Sequence, residues 1–129
     1  MKTLSDYTKE AHTDIFNSLG AFFAFSDNQF DMNKEEGIEY CSLGGGLIVP
    51  KEKANELSKG LVSISKKGKE QDLAENGIKA IIRRELFNYE SFYIGDISDC
   101  VEALASYGIE REDIQREYSN ILANEDVGL

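Results

Sequence analysis

The chain has 129 residues, 41% of them hydrophobic, and a formal net charge of −10 at pH 7. This length predicts a single domain over residues 1–129, which the charge makes acidic and which the patterns below predict to be helical. So negative a charge disfavours direct nucleic-acid binding, because it repels phosphates at long range. The sequence has no apolar run of the roughly 18–20 residues that a membrane helix requires and no signal peptide at its amino terminus, so we expect a cytoplasmic protein.

The first predicted elements are two helices. Residues 4–18 repeat apolar side chains at helical spacing, and Gly20 then ends the first helix. Ser26 and Gln29 have the Ser-x-x-Gln spacing of a capping box. They predict a short second helix over about 27–36.

The next feature is the glycine-rich stretch CSLGGGLIVPKEKA, residues 41–54. The β-branched and aromatic residues on either side of Gly44–Gly46 predict a β-hairpin over about 38–49. A phosphate-binding loop would need glycines spread over G-x-x-x-x-G-K-[ST] or G-x-G-x-x-G, whereas these glycines are consecutive. We therefore interpret them as a tight turn, and residues 91–96 as a possible third strand.

The rest of the chain predicts four more helices. Pro50 suits the first position of the third helix, and Gly68 closes it. A fourth helical pattern follows, in which Gly77 can break or delay the helix. A fifth helix ends at Gly108, and the last carries Ile114 on its inner face. The predicted fold class is therefore α+β and predominantly helical, with about six helices and one small hairpin.

Residues with catalytic or metal-binding chemistry are few. Cys41 and Cys100 are predicted to be small apolar core residues, and His12, the one histidine, is predicted at a surface or boundary position. The stretch most similar to a calcium loop has Met32 where the turn requires glycine and Ile38 where a glutamate belongs. We predict no enzymatic activity, no cofactor and no metal site.

Basic residues are concentrated in the middle of the chain. Lys66, Lys67 and Lys69 are predicted near a helix end, and Arg83 and Arg84 on the following helix. Together they could contact phosphates, but no exposed aromatic side chains are interleaved with them as a base-stacking surface requires. A solvated basic face is the favoured interpretation.

Acidic residues are concentrated near the end of the chain. Residues 96–129 contain nine acids and two bases, a balance of −7. Carboxylates along two adjoining helices can stand in for phosphates against a groove lined by arginine and lysine. The predicted partner-binding residues are Asp96, Asp99, Glu102, Glu110, Glu112, Asp113 and Glu117.

Three stretches carry a family resemblance: SLGAFFAFSDNQF, SLGGGLIVPKEKA and DLAENGIKAIIRREL. They resemble segments of a family of short uncharacterised proteins encoded by bacteriophages, plasmids and other bacterial mobile elements. The resemblance spans roughly residues 1–122 and transfers no catalytic residue. It implies a setting among accessory genes, where small acidic proteins that disable host nucleases or other defences are frequent.

These observations lead to two main functional hypotheses. The first is a non-enzymatic interaction protein of phage or mobile-element origin, an anti-CRISPR or anti-restriction type inhibitor that mimics DNA and binds a basic host protein. The alternative is a structural or regulatory accessory module that binds a protein partner through apolar contacts, and a homodimer is a further possibility. The candidate aromatic anchors are Phe22, Phe23, Phe25, Phe30, Phe92 and Tyr93. A small hydrolase or nucleotide-binding enzyme is the least favoured alternative.

Overall fold

A computed structural model describes residues 1–128 of the chain. These residues form seven α-helices, two short 3-10 helices and a small three-stranded antiparallel sheet, which confirms the predominantly helical α+β class. They cluster into two compact units: an amino-terminal unit of residues 2–68, and a carboxy-terminal unit from Lys69 onwards together with Met1. Within the described part of the chain, every helix is too short or too polar to span a lipid bilayer.

The elements follow one another with short connections. Those up to the long third helix are α1 (Leu4–Leu19), β1 (Phe22–Phe23), α2 (Asp27–Asn33), β2 (Tyr40–Ser42), β3 (Leu47–Pro50), a 3-10 helix (Lys51–Lys53) and α3 (Ala54–Asn76). Those after it are α4 (Ile78–Asn88), α5 (Ser91–Ile94), α6 (Ser98–Leu104), a second 3-10 helix (Ala105–Tyr107) and α7 (Arg111–Asn124). Pro50 therefore ends a strand and precedes a 3-10 turn, rather than beginning α3 directly as predicted.

The predicted capping of α2 by Ser26 is confirmed, although the return bond from Gln29 goes to the residue before the N-cap rather than to the N-cap amide. The Ser26 hydroxyl accepts a hydrogen bond from the Gln29 amide at 3.2 Å. The Gln29 side-chain oxygen in turn accepts from the amide of Phe25 at 2.7 Å, one residue before the N-cap. This reciprocal pair satisfies two amides outside the helical hydrogen-bond pattern. The helix ends at Asn33, three residues earlier than expected.

The sheet has the order β1-β3-β2, so the predicted hairpin is confirmed as the β2–β3 pair. Gly44–Gly46 form its turn, with φ angles of 93°, 59° and 80°, a region that side-chain-bearing residues rarely adopt. The third strand is β1, because Phe22 and Phe23 pair with Ile48 and Leu47. The prediction of a third strand over residues 91–96 is wrong, because this segment folds into the helical turn α5.

The core of the amino-terminal unit lies between the sheet and the two long helices. Leu19 of α1, Leu47 and Val49 of β3, and Leu57 of α3 are buried together. Cys41 is half-buried and packs against them. One face of β3 thus supplies the apolar contacts that hold α1 and α3 to the sheet.

Helix α3 continues through Gly68, so the predicted stop at this glycine is wrong. The reason is packing against α1, since a Cβ atom at Gly68 would lie 2.5 Å from the Thr8 methyl carbon. A Cβ atom at Gly60 would similarly lie 2.1 Å from the end of Ile15. Gly77, with a φ of 79°, instead separates α3 from α4 and confirms the predicted break.

The core of the carboxy-terminal unit is assembled from α4, α5, α6 and α7. Its buried residues are Ile81, Ile82, Leu86, Phe92, Ile97, Cys100, Leu104, Ile109, Ile114 and Ile121. The rings of Phe92 and Tyr118 stack on its border with centroids 4.9 Å apart. The predicted core positions Cys100 and Ile114 are confirmed, and this core sets the orientation of the outward-facing side chains of α6 and α7.

We predict that Gly68→Ala lowers the free energy of unfolding by about 1 kcal/mol, because overpacking of about 1–3 kcal/mol exceeds the helix-propensity gain of about 1 kcal/mol. Thr8 cannot easily turn its methyl group away, because its hydroxyl donates to the Leu4 carbonyl at 3.2 Å. Urea unfolding measures the change. Gly60→Ala should cost less, since it meets the flexible end of Ile15. Exposed Lys66→Ala is the control, and a stability gain in Gly68→Ala would contradict the packing argument.

Candidate functional site

The seven predicted partner-binding residues all lie in the carboxy-terminal unit. We call them the acidic surface: Asp96, Asp99, Glu102, Glu110, Glu112, Asp113 and Glu117. They stand on α6, on α7 and on the segments that lead into these helices. Asp113 and Glu117 are half-buried and the other five are exposed.

Three carboxylates of the acidic surface interact with neighbouring groups. Asp96 accepts hydrogen bonds from the Ser98 hydroxyl at 2.6 Å and the Ser98 amide at 2.9 Å, and these bonds lower its pKa. Asp113 forms an ion pair of 3.1 Å with Arg116. The hydrogen bond to Glu125 raises the pKa of Arg83, and the charge of Glu117 adds a smaller contribution in the same direction. Asp113 thus offers a partner less uncompensated charge, whereas the neutral Ser98 donors leave the full negative charge on Asp96.

The other four carboxylates are Asp99, Glu102, Glu110 and Glu112. Asp99 and Glu102 are three residues apart on α6, a spacing that places them on one face. Glu110 is the N-cap residue of α7, and Glu112 lies in its first turn. Among the described residues none of the four forms an ion pair, so their charges face solvent.

A buried ionic network lies in the same unit, and the sequence analysis did not identify it. Asp72 of α3 is 0% exposed and forms a two-pronged pair with Arg84 of α4, both bonds at 2.9 Å. Its carboxylate also accepts from the Tyr107 hydroxyl at 2.6 Å and from the Asn76 amide at 2.8 Å. Arg84 donates a further bond to Glu85 at 2.8 Å.

The network leaves the Asp72 carboxylate little capacity for a substrate. Burial raises the pKa of Asp72, but the hydrogen bonds from Arg84, Tyr107 and Asn76 outweigh burial and lower it overall. Two bonds to each oxygen use the four lone-pair positions of the ionised group. Burial and the bond to Asp72 raise the pKa of Tyr107, so that hydroxyl stays protonated as a donor. The arrangement is structural in character.

Two of the five basic residues considered for phosphate binding are engaged within the protein. Arg84 belongs to the buried network, and Arg83 forms a two-pronged pair with Glu125 at 2.5 and 2.6 Å. Lys66, Lys67 and Lys69 lie inside α3 rather than at a helix end, so that placement was wrong. These contacts favour an intramolecular role for the two arginines.

The residues considered for catalysis occupy positions of different kinds. Cys100 is fully buried, and burial together with the charge of Glu85 raises the pKa of its thiol to about 11. A protonated, inaccessible thiol is a poor nucleophile. His12 is half-buried and stacks on Phe16 with ring centroids 6.0 Å apart, as expected for a boundary position. The described residues contain no group of three or more histidine, cysteine or acidic side chains that could hold a metal ion.

The six candidate aromatic anchors divide between interior and surface. Phe22 and Phe30 are half-buried against Tyr40, with ring centroids 5.5 and 5.7 Å from it. Phe92 is buried in the carboxy-terminal core. Phe23, Phe25 and Tyr93 are exposed, and Tyr93 reaches 79% exposure.

The exposed Tyr93 is part of a larger apolar feature, which we call the aromatic knuckle. This segment, residues 87–94, joins α4 to α5 and exposes four side chains: Phe87, Tyr89, Tyr93 and Ile94. Glu90 at its centre has a φ of 53°, the one described non-glycine residue with positive φ. Backbone strain of this kind costs about 1–3 kcal/mol and persists only where the surrounding structure imposes it.

Comparison with known proteins identifies one related family. A family model described as a family of unknown function (DUF7659) matches residues 4–124. No curated protein and no solved structure matches the chain. The match extends over both units and confirms the expectation of an uncharacterised domain.

We predict that Asp72→Asn lowers the free energy of unfolding by about 3–5 kcal/mol, because the buried Arg84 then loses the carboxylate that accepts two of its hydrogen bonds. Urea unfolding at pH 7 measures this loss. The triple variant Asp72→Leu, Arg84→Met, Tyr107→Phe removes the buried ion pair and its tyrosine donor while leaving Asn76 and Glu85, and it should stay within about 2 kcal/mol of the wild type. A triple variant as unstable as Asp72→Asn would contradict this account.

The same proteins should differ in their response to acid. The folded-state pKa of Asp72 lies below the ordinary value of 3.8. Its stabilising contribution is therefore complete above pH 3.8 and is lost as the pH falls through the folded-state pKa. Asp6, Asp96 and Glu125, whose pKa values are also lowered, titrate in both proteins. A smaller loss of stability in the triple variant between pH 5 and pH 2 thus reports the buried network of Asp72 and Arg84.

Proposed function

The chain belongs to this family of unknown function, and we propose that it is a non-enzymatic interaction protein that presents its acidic surface to a basic protein partner. The observation that carries the proposal is the group of exposed carboxylates without ion pairs on α6 and at the start of α7. A field of one sign steers an oppositely charged partner and disfavours partners of like charge. The partner is therefore a protein, and direct nucleic-acid binding is disfavoured.

The partner's surface is expected to be one that normally binds nucleic acid. Carboxylates on two successive helices present anionic oxygens to arginine and lysine side chains, as phosphates do. Together with the resemblance to proteins of mobile elements, this supports an inhibitor of a host defence system, of the anti-CRISPR or anti-restriction type. Such a protein acts in the cytoplasm, where its nuclease target would be found.

Two groups that could be mistaken for catalytic ones support a non-enzymatic role. The Asp72 carboxylate is saturated by protein donors, and the Cys100 thiol is buried with a raised pKa. Neither has the accessibility or the protonation state that acid–base or nucleophilic catalysis requires.

The aromatic knuckle favours a second candidate function, a structural or regulatory module that binds through apolar contacts. Tyrosine is favoured at interface centres because it offers a large contact area with few rotatable bonds. Tyr93 and Ile94 are the exposed second half of α5. The first two residues of this short helix, Ser91 and Phe92, are buried. The anchoring of this segment means that little entropy is lost when its exposed side chains are covered.

We predict that Asp99→Asn, Glu102→Gln, Glu110→Gln and Glu112→Gln together weaken partner binding at least tenfold at low salt. The partner is first isolated by affinity capture from host lysate, and its affinity is then measured by calorimetry. Asp99, Glu110 and Glu112 stand at helix starts, where each carboxylate contributes about 0.3–1 kcal/mol of stability, so the variant should stay folded with a lower melting temperature.

The control for this experiment changes the net charge equally in the amino-terminal unit. Glu10→Gln, Asp14→Asn, Glu36→Gln and Glu39→Gln replace four exposed carboxylates there. This control should bind nearly as tightly as the wild type. Equal weakening by both variants would show that only the total charge matters, and the proposed surface would be rejected.

For the second candidate, we predict that Tyr93→Ala reduces affinity at least tenfold if the aromatic knuckle is the interface centre. Binding through the knuckle should persist between 50 mM and 500 mM salt, whereas binding through the acidic surface should weaken strongly. Phe25→Ala, an equally exposed aromatic position in the other unit, is the matched control. Unchanged affinity in Tyr93→Ala would eliminate the knuckle.

A further inference from the structure

The amino-terminal unit contains a cavity of about 320 Å³. It lies where the end of α1, the segment after α2, and strands β2 and β3 meet. Leu19, Ile38, Tyr40 and Pro50 form its apolar walls. At about 30 Å³ per water molecule this space equals about ten waters, enough for a small organic group.

The carboxyl end of α1 lies at the wall of this cavity. Leu19 is the last residue of that 16-residue helix, Gly20 is its C-cap, and both line the cavity. The last carbonyl groups of a helix lack intrahelical partners and carry about half a negative charge. The last turn of α1 contains no basic residue that would offset this charge.

Acidic side chains add to the negative potential. Glu35 and Glu52 both line the cavity. Glu35 precedes β2 in the chain, and Glu52 follows β3. The Glu35 amide donates to the Tyr40 hydroxyl oxygen at 2.9 Å, which fixes the segment that carries this carboxylate. The one basic lining residue is Lys53, whose ammonium group lies 3.8 Å from the Glu56 carboxylate on α3. Because this exposed pair is weak, Lys53 offsets part of the charge of the two glutamates, and the lining keeps an excess of one carboxylate.

The walls and the charge together define the ligand. We infer that this cavity binds an organic cation, an alkylguanidinium or alkylammonium group, with its head near Glu35, Glu52 and the end of α1. The aliphatic stem contacts Leu19, Ile38 and Pro50, and the aromatic Tyr40 adds a cation–π contribution. The same type of recognition occurs within this protein, where Arg83 lies 5.2 Å from the Phe87 ring centre while it pairs with Glu125. The inference is independent of the acidic surface, which belongs to the other unit.

The test compares two probes of the same shape, n-butylguanidinium and the neutral n-butylurea. Titrations of the full chain are followed by amide chemical shifts in two-dimensional NMR. We expect n-butylguanidinium to bind with a Kd on the order of 1 mM, typical of so small a ligand. The shifts should be largest at Gly20, Ile38 and Tyr40, and n-butylurea should bind at least fivefold more weakly. Equal binding of the two probes, or shifts centred elsewhere, would overturn the inference.

Paired variants separate a local site from general attraction. Glu35→Gln with Glu52→Gln should weaken n-butylguanidinium binding about tenfold, or about threefold for each exposed carboxylate. Glu36→Gln with Glu39→Gln makes the same charge change at exposed positions that do not line the cavity, and should leave the Kd within twofold. An equal effect of both pairs would refute a specific site.

A third probe distinguishes the two sources of the cation. N-acetyl-arginine-N-methylamide presents the same guanidinium on a peptide backbone. Tighter binding than n-butylguanidinium would identify an arginine side chain of a protein as the occupant. Weaker binding would identify a free small molecule. Either result supports the cation site, whereas binding of neither probe would reject it.

Discussion

The carboxy-terminal unit depends on one interaction, the buried ion pair between the Asp72 carboxylate and Arg84. The carboxylate joins the end of α3 to α4 through Arg84 and to the 3-10 helix before α7 through Tyr107. A buried charge is expensive to desolvate, and only complete pairing offsets that cost. Because Tyr107 lies three residues before Glu110, the network also fixes where α7 begins. The positions of Glu110 and Glu112, two of the five exposed residues of the acidic surface, thus depend on a buried group.

A different constraint, close helix packing, governs the amino-terminal unit. Gly60 and Gly68 are eight residues apart on α3, and they receive Ile15 and Thr8 of α1. A longer side chain at either position would separate the two helices, whose apolar faces are completed by Leu19 and Leu57. The same packing places the end of α1 beside Pro50, where the cavity forms. Gly60 and Gly68, which have ordinary helical backbone angles, therefore help to position the end of α1 at the cavity.

Local sequence patterns predicted local structure correctly, whereas they did not predict contacts between residues far apart in the chain. The Ser26–Gln29 capping box and the Gly44–Gly46 turn are determined by neighbouring residues, so their patterns were sufficient. Gly68 was misjudged because a glycine that ends a helix and one that accommodates a neighbouring helix look alike in sequence. The pairing of Asp72 with Arg84 joins residues on separate helices, and nothing in the periodicity marks it. The strand β1 escaped prediction because two residues carry no detectable alternation.

The same distinction applies to the acidic surface. Sequence counting correctly located the excess of acids, since charge balance needs no structure. It could not show that Asp96, Asp113 and Glu117 interact with Ser98, Arg116 and Arg83, respectively.

A partner that approaches this surface must compete with those contacts or avoid them. It can meet Asp99, Glu102, Glu110 and Glu112 without breaking an ion pair of the described residues. Electrostatic affinity for a basic partner should therefore concentrate on these four carboxylates, because an exposed charge that is already paired contributes little further attraction. Three of the four, Asp99, Glu110 and Glu112, also stand at helix starts, where a negative charge stabilises the helix terminus.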